Sequence, residues 1–430
     1  MEKKKKSYDT QDKKYKQYIE EKINEFNSNG KKTIVHFCDT YYPIIDGVIK
    51  VLENYASRLS KTYNVVVVVP KHKNKVIVPS NNYLVIGSNS MYFKFVNYDL
   101  AFPDGDTYVS NVLKKLKISL IHSHSPFNMG TYAAKLAKKL KIPLVMTMHS
   151  QYRQDFLKYT KNEGISNALV KSISKVFNKS TEVWTMHDKV AEELKSYGYK
   201  GKFYYVPNAT DYKIPENPES YNEIINKKYN LTPNDNVFLF VGRLVEQKNI
   251  FFIVDALNNL KEMGINFKMF FVGNGPDEIE LKRRIKKYEL NNDIILTGKI
   301  ESREELAMYY QRSNLFLFPS VYDTSSLVQI EAATYKTPGV FIEGTATAKT
   351  ITNNRNGFLS TEDPNTFAQT IANAIKDKEK LKQISENAFN ELYVSWDMVV
   401  EKVSARYEYL IEQNLNKNRK LEIVKQTLKK

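Results

Sequence analysis

Short runs of apolar, mostly β-branched residues alternate with amphipathic segments along this chain, and this alternation constrains its fold more than any other feature. The first run is TIVHFC at residues 33–38, and NVVVVVP at residues 64–70 is the second. Between them, residues 48–59 place apolar side chains at the 3.6-residue spacing of a helix. Two strands that are joined through a helix pair in parallel. The sequence therefore predicts a parallel sheet of the α/β class.

The alternation forms two series, which a polar, proline-containing stretch at residues 211–235 separates. Predicted strands of the first series lie at residues 33–38, 64–70, 118–123, 144–148, 182–186 and 203–206. Those of the second series lie at residues 237–241, 267–272, 294–296, 315–318 and 339–341. We predict two doubly wound, Rossmann-like domains that face each other across a cleft, with ligands beyond the carboxyl ends of the strands.

The predicted domain limits follow from these two series and from the charge at both ends of the chain. The amino-terminal and carboxy-terminal domains are assigned to residues 31–207 and 208–395. Residues 396–411 are assigned to a carboxy-terminal helix. Residues 1–30 and 412–430 are lysine-rich and are predicted to be a basic arm and a basic tail.

Positive charge is concentrated in one block of the first domain. The chain has 64 lysines and arginines against 48 acidic residues, and residues 111–180 alone hold thirteen basic residues against two acidic ones. Within this block, residues 165–177 repeat apolar side chains at helical spacing, with lysines between them. That pattern is typical of a core helix or of an amphipathic helix at a membrane surface. No nucleic-acid-binding motif is recognisable, so an anionic membrane surface is the favoured partner and nucleic acid is not expected.

The location is predicted from composition. The longest apolar run, residues 65–69, is far shorter than the roughly 20 residues of a transmembrane helix. The basic residues at the start are followed by a polar segment and not by the apolar core of a signal peptide. The single cysteine, Cys38, cannot form an internal disulfide. We expect a cytoplasmic protein that is peripheral on the inner face of the cell membrane.

Two glycine-containing turns follow predicted strands of the second domain. The strand VFLFV runs into Gly242, Arg243 and, five residues later, Lys248, which suits a diphosphate because two cations and a close backbone approach are available. An ordinary charged surface loop is an equally good interpretation. The second turn contains Gly273 in the sequence VGNGP, where a helix amino terminus favours an anion, although a plain tight turn has the same pattern.

A third motif follows the predicted strand at residues 315–318. Asp323 lies in the loop, and Glu331 lies eight residues later in a predicted helix. Ionised carboxylates suit sugar hydroxyls, because one carboxylate accepts hydrogen bonds from two hydroxyls. Asp323 as a helix cap and Glu331 as a surface acid are the alternatives.

The order and spacing of the three motifs resemble those of the glycosyltransferases of family 4, which have the GT-B fold, over residues 31–411. Members have G-R-x4-K, G-x-G-P and E-x7-E motifs, and here Asp323 replaces the first glutamate of the last motif. The resemblance implies that Arg243 and Lys248 hold the donor diphosphate. It implies that Asp323 binds sugar hydroxyls and that Glu331 binds the ribose. Further implied donor contacts are Gly47, Gly242, Gly273, Lys299 and Ile300 near the base, and the amides of Ser326, Leu327 and Val328 at the phosphate.

In the first domain, histidines follow two predicted strands, in HSHSPF and TMHSQY. The resemblance implies that His149 contacts the donor sugar near its anomeric centre and that His124 lies on the acceptor side. Both segments resemble those of bacterial transferases that glycosylate membrane lipids. The resemblance also implies that the helix at residues 396–411 crosses back onto the first domain. A metal site at these histidines is disfavoured because no carboxylate lies at ligand spacing. The sequence Asp104-Gly105-Asp106 matches a DxD motif, which we interpret as a chance match in a loop.

The resemblance implies a hexosyltransferase that transfers a sugar from a nucleotide diphosphate sugar, most commonly a uridine one, with retention of configuration. The expected acceptor is a hydroxyl of a lipid, a lipid-linked glycan or a cell-envelope glycan. No metal ion and no cofactor beyond the nucleotide-sugar co-substrate are expected. The altered segment DTSS at residues 323–326 leaves an alternative, a non-catalytic membrane-surface scaffold that keeps a GT-B shell.

Overall fold

The computed structural model describes residues 2–42, 47–71, 82–93, 98–186, 188–323 and 327–427, with the backbone alone for residues 2–11, 98 and 421–427. These residues form two compact units. The first comprises Met1–Pro207 together with Trp396–Lys430, and the second comprises Asn208–Ser395.

The first unit is built on an eight-stranded sheet with helices between its strands. Its elements in chain order are α1 (Glu2–Ser28), β1 (Thr33–Phe37), α2 (Gly47–Leu59), β2 (Asn64–Lys71), β3 (Leu84–Phe93), β4 (Tyr98–Ala101), α3 (Thr107–Lys115), β5 (Ile118–Ser123), α4 (Asn128–Leu140), β6 (Leu144–Thr147), α5 (Tyr152–Thr160), α6 (Glu163–Phe177), β7 (Glu182–Thr185), α7 (Asp188–Ser196) and β8 (Phe203–Tyr205).

The strand order of this sheet is β4-β3-β2-β1-β5-β6-β7-β8. All neighbouring strands pair in parallel except β3 and β4, which form an antiparallel edge. The five valines of β2, Val65–Val69, are all buried, as a strand covered by helices on both faces requires. The edge strand β4 and its neighbour β3 were not predicted, and the outer half of β3 is largely exposed.

The second unit has a six-stranded parallel sheet, in the order β11-β10-β9-β12-β13-β14. Its elements are α8 (Pro218–Tyr229), β9 (Val237–Val241), α9 (Ile250–Glu262), β10 (Lys268–Val272), α10 (Glu278–Lys287), β11 (Ile294–Gly298), α11 (Arg303–Arg312), β12 (Leu315–Leu317), α12 (Leu327–Thr334), β13 (Gly339–Ile342), β14 (Phe358–Ser360), α13 (Pro364–Lys376) and α14 (Lys378–Leu392). Its core is rich in phenylalanine, and Phe238, Phe240, Phe270 and Phe316 are completely buried.

The polar stretch at residues 211–235 contains a helix that the sequence analysis did not predict. Asn217 caps this helix, α8, and Pro218 occupies its first position, where a missing N–H costs nothing. Only Ile225 of α8 is buried, and it joins the core of the second unit. A single buried apolar position gives no helical period, which explains the missed helix.

Both ends of the chain pack onto the first unit. Tyr15, Ile19 and Ile23 of α1 are buried in its core, so the segment predicted as a basic arm is an integral helix. At the other end, α15 (Trp396–Thr427) is one helix that continues past residue 411, through most of the segment predicted as a basic tail. Within the described residues, no helix combines the length and the hydropathy that a membrane span needs.

Candidate active site

The loops that follow β9, β10 and β11 are hydrogen-bonded to one another in the second unit. The N–H of Gly242 donates to Val272 O at 3.0 Å, and the N–H of Gly273 donates to Gly298 O at 2.9 Å. Gly273 has a φ of 142°, and a Cβ added there would lie 1.9 Å from Gly242 O. Glycine is therefore required at residue 273 by the contact between the two loops, whatever ligand lies beyond them.

The structure brings together two of the predicted site residues, Lys248 and Asp323. Their side chains form an ion pair and retain only 23% and 17% of their exposure. Lys248 lies in the loop after β9 and Asp323 in the loop after β12, the strand that pairs with β9. The ammonium group also lies 5.8 Å from the centre of the Phe318 ring. The side chain of Arg243 is exposed and has no hydrogen-bond or ionic partner within the described residues.

Two polar atoms in the loop that carries Asp323 are buried without a hydrogen-bond partner among the residues that the structure describes. They are Oδ2 of Asp323 and the Oγ of Ser320, which lie three residues apart in the loop after β12. Buried polar atoms are nearly always hydrogen-bonded in folded proteins. An unpaired carboxylate oxygen and an unpaired hydroxyl in one loop are suited to a ligand that carries hydroxyl groups.

Asn249 fixes the loop after β9, a role that was not predicted from the sequence. Its backbone is left-handed, with a φ of 56°, a conformation that asparagine adopts more readily than most residues. Its carboxamide donates to Pro319 O at 3.0 Å and to a carboxylate oxygen of Glu362 at 3.2 Å. Asn249 therefore fixes the position of the neighbouring Lys248 relative to the loop that carries Asp323.

Glu331 lies in α12 and has an unusual environment for a carboxylate. The hydroxyl of Tyr310 donates to its Oε2 at 2.9 Å. Burial raises the pKa of Glu331 to about 7, and the hydrogen bond from Tyr310 and the charge of Arg303 oppose this rise. Near neutral pH, Glu331 is thus divided between its protonated and ionised forms, so a ligand that prefers one form shifts its protonation.

The remaining predicted donor contacts differ in their surroundings. Lys299 and Ile300 directly follow β11, where Lys299 pairs with Glu301 at 2.8 Å on the surface and Ile300 packs against the core. Leu327 and Val328 are the first two residues of α12, whose amides have no acceptor within the helix. Ser326 lies outside the described residues.

Three histidines of the first unit form a hydrogen-bonded row at the carboxyl ends of β1, β5 and β6. Nδ1 of His36 lies 3.0 Å from Nε2 of His124. Nδ1 of His124 lies 3.2 Å from Nε2 of His149. The structure thus joins the two predicted histidines to each other and to His36, which the sequence analysis interpreted only as part of strand 33–38. An isolated histidine in an apolar run was the one available signal.

Burial determines the charge of these rings. It lowers the pKa of His36 to about 3 and that of His149 to about 4, and it lowers the pKa of His124 well below the usual value. The rings are therefore neutral at pH 7, and each carries one N–H.

The direction of the two hydrogen bonds follows from where these protons lie. If His36 donates to His124, then His124 donates to His149, whose own proton lies on Nδ1. The opposite direction leaves a buried N–H at Nε2 of His36, which has no partner within the described residues. Orphaned buried N–H groups are rare, so we assign the first direction.

A second network connects the histidines to α15. His122 contacts the hydroxyl of Tyr407 through Nδ1 at 2.5 Å and that of Thr147 through Nε2 at 2.7 Å. Next to Tyr407, Arg406 forms two hydrogen bonds to the buried carboxylate of Glu182. The family resemblance implies the return of this helix to the first domain, whereas these side-chain contacts were not predicted.

Nitrogen atoms of His36, His122 and His124 lie within 4.8 Å of one another, as a metal site would require. Both nitrogens of His122 and both of His124 are already in hydrogen bonds, however. Binding of a metal ion would break those bonds. The absence of a metal site stays a prediction, which these contacts support.

Gly47 and the DxD sequence complete the predicted set in the first unit. Helix α2 begins at Gly47, which is exposed. A Cβ added there would meet no described atom within 4 Å, apart from its chain neighbours and the backbone of its own helix. Asp104 forms a surface ion pair with Lys135 at 2.6 Å. Asp106 is buried and caps α3 by accepting from the N–H groups of Tyr108 and Val109. The DxD sequence is thus structural, as its interpretation as a chance match implies.

Comparison with known proteins covers both units. The model of the family "Glycosyltransferase Family 4" matches residues 45–213, and the model "Glycosyl transferases group 1" matches residues 222–391. A protein of Streptococcus pneumoniae named alpha-monoglucosyldiacylglycerol synthase is 25% identical over 70% of this chain and 69% of its own length. A protein of Acholeplasma laidlawii with the same name is 26% identical over 70% of this chain and 78% of its own length.

Solved structures share the fold at lower identity. The crystal structure of Anabaena HepE in complex with UDP and glucose has a TM-score of 0.68 at 16% identity, over 87% of this chain and 99% of that protein. The predicted fold class, α/β with two Rossmann-like domains of the GT-B type, is confirmed.

Proposed function

Since the chain belongs to the family 4 glycosyltransferases, and is therefore a hexosyltransferase-type enzyme, we propose that its donor is a uridine diphosphate sugar. The proposed acceptor of the transferred sugar is a hydroxyl group of a membrane lipid or lipid-linked glycan. Two relatives named as glucosyldiacylglycerol synthases support a lipid acceptor. A structural neighbour that holds UDP and glucose supports the donor class.

The observation that carries this proposal is the arrangement around Asp323. One of its carboxylate oxygens pairs with Lys248, and the other is buried without a partner within the described residues, as is the hydroxyl of Ser320 in the same loop. A sugar hydroxyl that donates to Oδ2 of Asp323 would satisfy this oxygen. A phosphate beside the same ammonium group would place the sugar and the diphosphate in the positions that the family motifs imply.

The proposed chemistry depends on fixed cations. When the bond between the sugar and the diphosphate breaks, negative charge grows on the leaving phosphate. Lys248, which Asn249 and the ion pair hold in place, and the exposed Arg243 are suited to stabilise that charge. We propose that they do so without a metal ion, and that the configuration at the anomeric carbon is retained.

His149 is proposed to contact the sugar as a neutral hydrogen-bonding group. Its low pKa, which burial causes, disfavours a positive charge next to the forming oxocarbenium-like centre. The row from His36 through His124 fixes which nitrogen of His149 carries the proton. His124 is then both a possible acceptor-side contact and a positioning residue for His149.

Turnover tests the proposal. Purified protein is supplied with a panel of UDP-sugars and GDP-sugars and with total bacterial lipid, and products are identified by mass spectrometry. We expect a glycolipid with one UDP-sugar and no product from Lys248→Ala, whereas Lys282→Ala, a surface lysine of the same unit, retains activity. Absence both of turnover and of UDP binding at millimolar ligand would contradict the proposal and favour the scaffold alternative.

We also propose attachment to an anionic membrane through α5 and α6, on the cytoplasmic face. The apolar side chains of the predicted amphipathic helix fall into a buried group and an exposed group. Ile165 and Leu169 are 51% and 37% exposed, whereas the buried ones are Val170, Ile173, Val176 and Phe177. Leu157 and Tyr159 of α5 are also exposed, and the neighbouring exposed lysines are Lys158, Lys161, Lys171 and Lys175. Apolar side chains surrounded by lysines are typical of a surface that lies in the headgroup region.

Vesicle flotation tests the attachment. The protein is expected to float with phosphatidylcholine vesicles that contain 30% phosphatidylglycerol and to float less with pure phosphatidylcholine. The double variant Ile165→Ser with Leu169→Ser should lose flotation. A matched double variant of exposed residues in the second unit, Ile224→Ser with Ile279→Ser, should keep it. Equal recovery of both variants would contradict the proposed surface.

A further inference from the structure

A lysine-rich groove lies in the first unit, at the end of the sheet opposite to His149. It contains Leu144, the first residue of β6, whereas His149 follows the last residue of the same strand. The groove has a volume of about 630 Å³ and is formed by the end of α4, the start of β6 and one side of α15. It is thus separate from the residues assigned to the donor and the acceptor.

Among the described side chains, five lysines and no acidic residue line this groove: Lys135, Lys138, Lys141, Lys179 and Lys417. Lys135 is paired with Asp104. The side-chain ammonium groups of the other four have no hydrogen-bond or ionic partner within the described part of the chain, and all four side chains are exposed. The positive charges that line one open groove repel one another, and an anion bound between them offsets this repulsion. The groove is therefore suited to a negatively charged ligand.

The negative end of the α4 helix dipole accounts for only some of these lysines. Lys138 lies in the last turn and Lys141 is the cap residue, so both interact favourably with the negative end of the helix dipole. Lys179 follows α6, and Lys417 lies in α15, far along the chain from both. Their convergence on the same groove is therefore a tertiary feature and not a property of one helix end.

The groove is held in shape by specific contacts, and part of its wall is apolar. The carboxamide of Asn414 donates to Lys141 O at 2.9 Å and fixes α15 against the end of α4. Apolar wall residues are Ala134, Ala137, Ile142 and Leu144. Leu140 and Leu415, which neighbour the lining residues in sequence, are 40% and 50% exposed. A ligand with an anionic head and an apolar part would contact both kinds of surface.

We propose that this groove binds a phosphate-bearing anion, with the phosphate between Lys138, Lys141, Lys179 and Lys417. The same phosphate chemistry is found in an anionic phospholipid headgroup and in a small soluble phosphate. The site is distinct from the donor diphosphate site in the second unit, and its existence does not depend on the proposed transfer reaction.

Lysine footprinting tests this site directly. The full-length protein is acetylated at limiting reagent, and the rate at each lysine is read by mass spectrometry. Four conditions are compared: buffer, glycerol 3-phosphate, pure phosphatidylcholine vesicles, and phosphatidylcholine vesicles with 30% phosphatidylglycerol. We expect the rates at Lys138, Lys141, Lys179 and Lys417 to fall at least threefold with one phosphate probe, whereas the rate at Lys282 of the second unit is unchanged. Protection by the soluble probe identifies a small phosphate, and protection only by phosphatidylglycerol vesicles identifies a lipid headgroup.

A charge-matched pair of variants separates the groove from general attraction. Lys138, Lys141 and Lys417 are changed to glutamine in one protein, and Lys282, Lys286 and Lys287, which lie on a helix of the second unit, are changed to glutamine in the other. The first variant should bind the protecting probe at least tenfold more weakly, and the second should bind it as the unmodified protein does. Equal weakening in both variants, or no protection with any probe, would overturn the proposal. Circular dichroism and a thermal unfolding curve show whether both variants are folded, and neither measurement depends on UDP binding or on turnover.

Discussion

The ammonium group of Lys248 is ion-paired with the carboxylate of Asp323, 75 positions away in the sequence. The family motifs assign the first residue to the donor diphosphate and the second to the sugar. In this structure the two groups are partners of each other. The charge that is proposed to hold the diphosphate is thus balanced by the group that is proposed to hold the sugar.

The substitution Asp323→Asn separates these two roles. Loss of the negative charge frees Lys248, so we expect UDP to bind severalfold more tightly. The amide loses the charge that strengthens a hydrogen bond from a sugar hydroxyl, and charged hydrogen bonds contribute about 1.5–3 kcal/mol. Sugar transfer should therefore fall by roughly tenfold to a hundredfold. Calorimetry with UDP and steady-state kinetics measure the two effects, and weaker UDP binding would contradict the assigned roles.

Binding of the donor is expected to depend on pH through Glu331. The pKa of this carboxyl is raised to about 7, and its ionised form is the one that accepts two hydrogen bonds from ribose hydroxyls. Affinity should therefore rise as pH increases from 6 to 8, with release of a proton on binding. UDP-glucose is a suitable probe, because its phosphates do not titrate in this range.

The variant Glu331→Gln is the control for that pH effect. It cannot ionise, so its affinity for UDP-glucose should be lower at pH 8 and constant between pH 6 and 8. Calorimetry in two buffers with different ionisation enthalpies measures the released proton. An unchanged pH profile in the variant would show that another group is responsible.

His36 is expected to act on the rate through His124 and His149. The variant His36→Phe removes a hydrogen bond that is worth about 1 kcal/mol, so turnover should fall about fivefold. UDP binding in the second unit should not change. His36→Gln, whose amide can donate to His124, should restore part of the rate. Equal rates for the two variants would contradict a positioning role that depends on this hydrogen bond.

The packing of α15 onto the first unit is expected to depend on Arg406. Its guanidinium pairs with Glu182, whose side chain is only 2% exposed. The variant Arg406→Ala leaves this carboxylate buried without its cation, so unfolding should become easier by about 3 kcal/mol. Arg283→Ala, at a surface ion pair of the second unit, should change stability by less than about 1 kcal/mol. Denaturant titration measures both, and equal stabilities would contradict this account of α15.

Strands that are buried on both faces were predictable from the sequence, since their apolar runs are uninterrupted. The predicted strands 118–123 and 237–241 coincide with β5 and β9. Elements with little burial were missed. Strand β3 is exposed along its outer half, and α8 buries only one apolar residue. In neither element do apolar residues therefore recur at the regular spacing of a strand or a helix.

The candidate site was predictable only as a set of motifs. Arg243, Lys248, Asp323 and Glu331 follow from motif spacing, but the pairing of Lys248 with Asp323 depends on how two distant loops meet. His36 lies within a strand whose sequence indicates only core packing. Tyr407 of α15 contacts His122, which lies 285 positions away in the sequence. A contact between residues so far apart cannot be predicted from the local sequence pattern around either one.

The central claim is that Arg243 and Lys248 bind the diphosphate of the donor, and calorimetric titration with UDP tests it most directly. Arg243→Ala and Lys248→Ala are compared with Arg283→Ala and Lys282→Ala, which remove surface charges of the same unit. Each lost contact to phosphate is charge-assisted and worth about 1.5–3 kcal/mol, so the two site variants should bind UDP at least tenfold more weakly. The two control variants should bind it as the unmodified protein does. If Arg243→Ala and Lys248→Ala bind UDP as tightly as their controls, the claim is wrong.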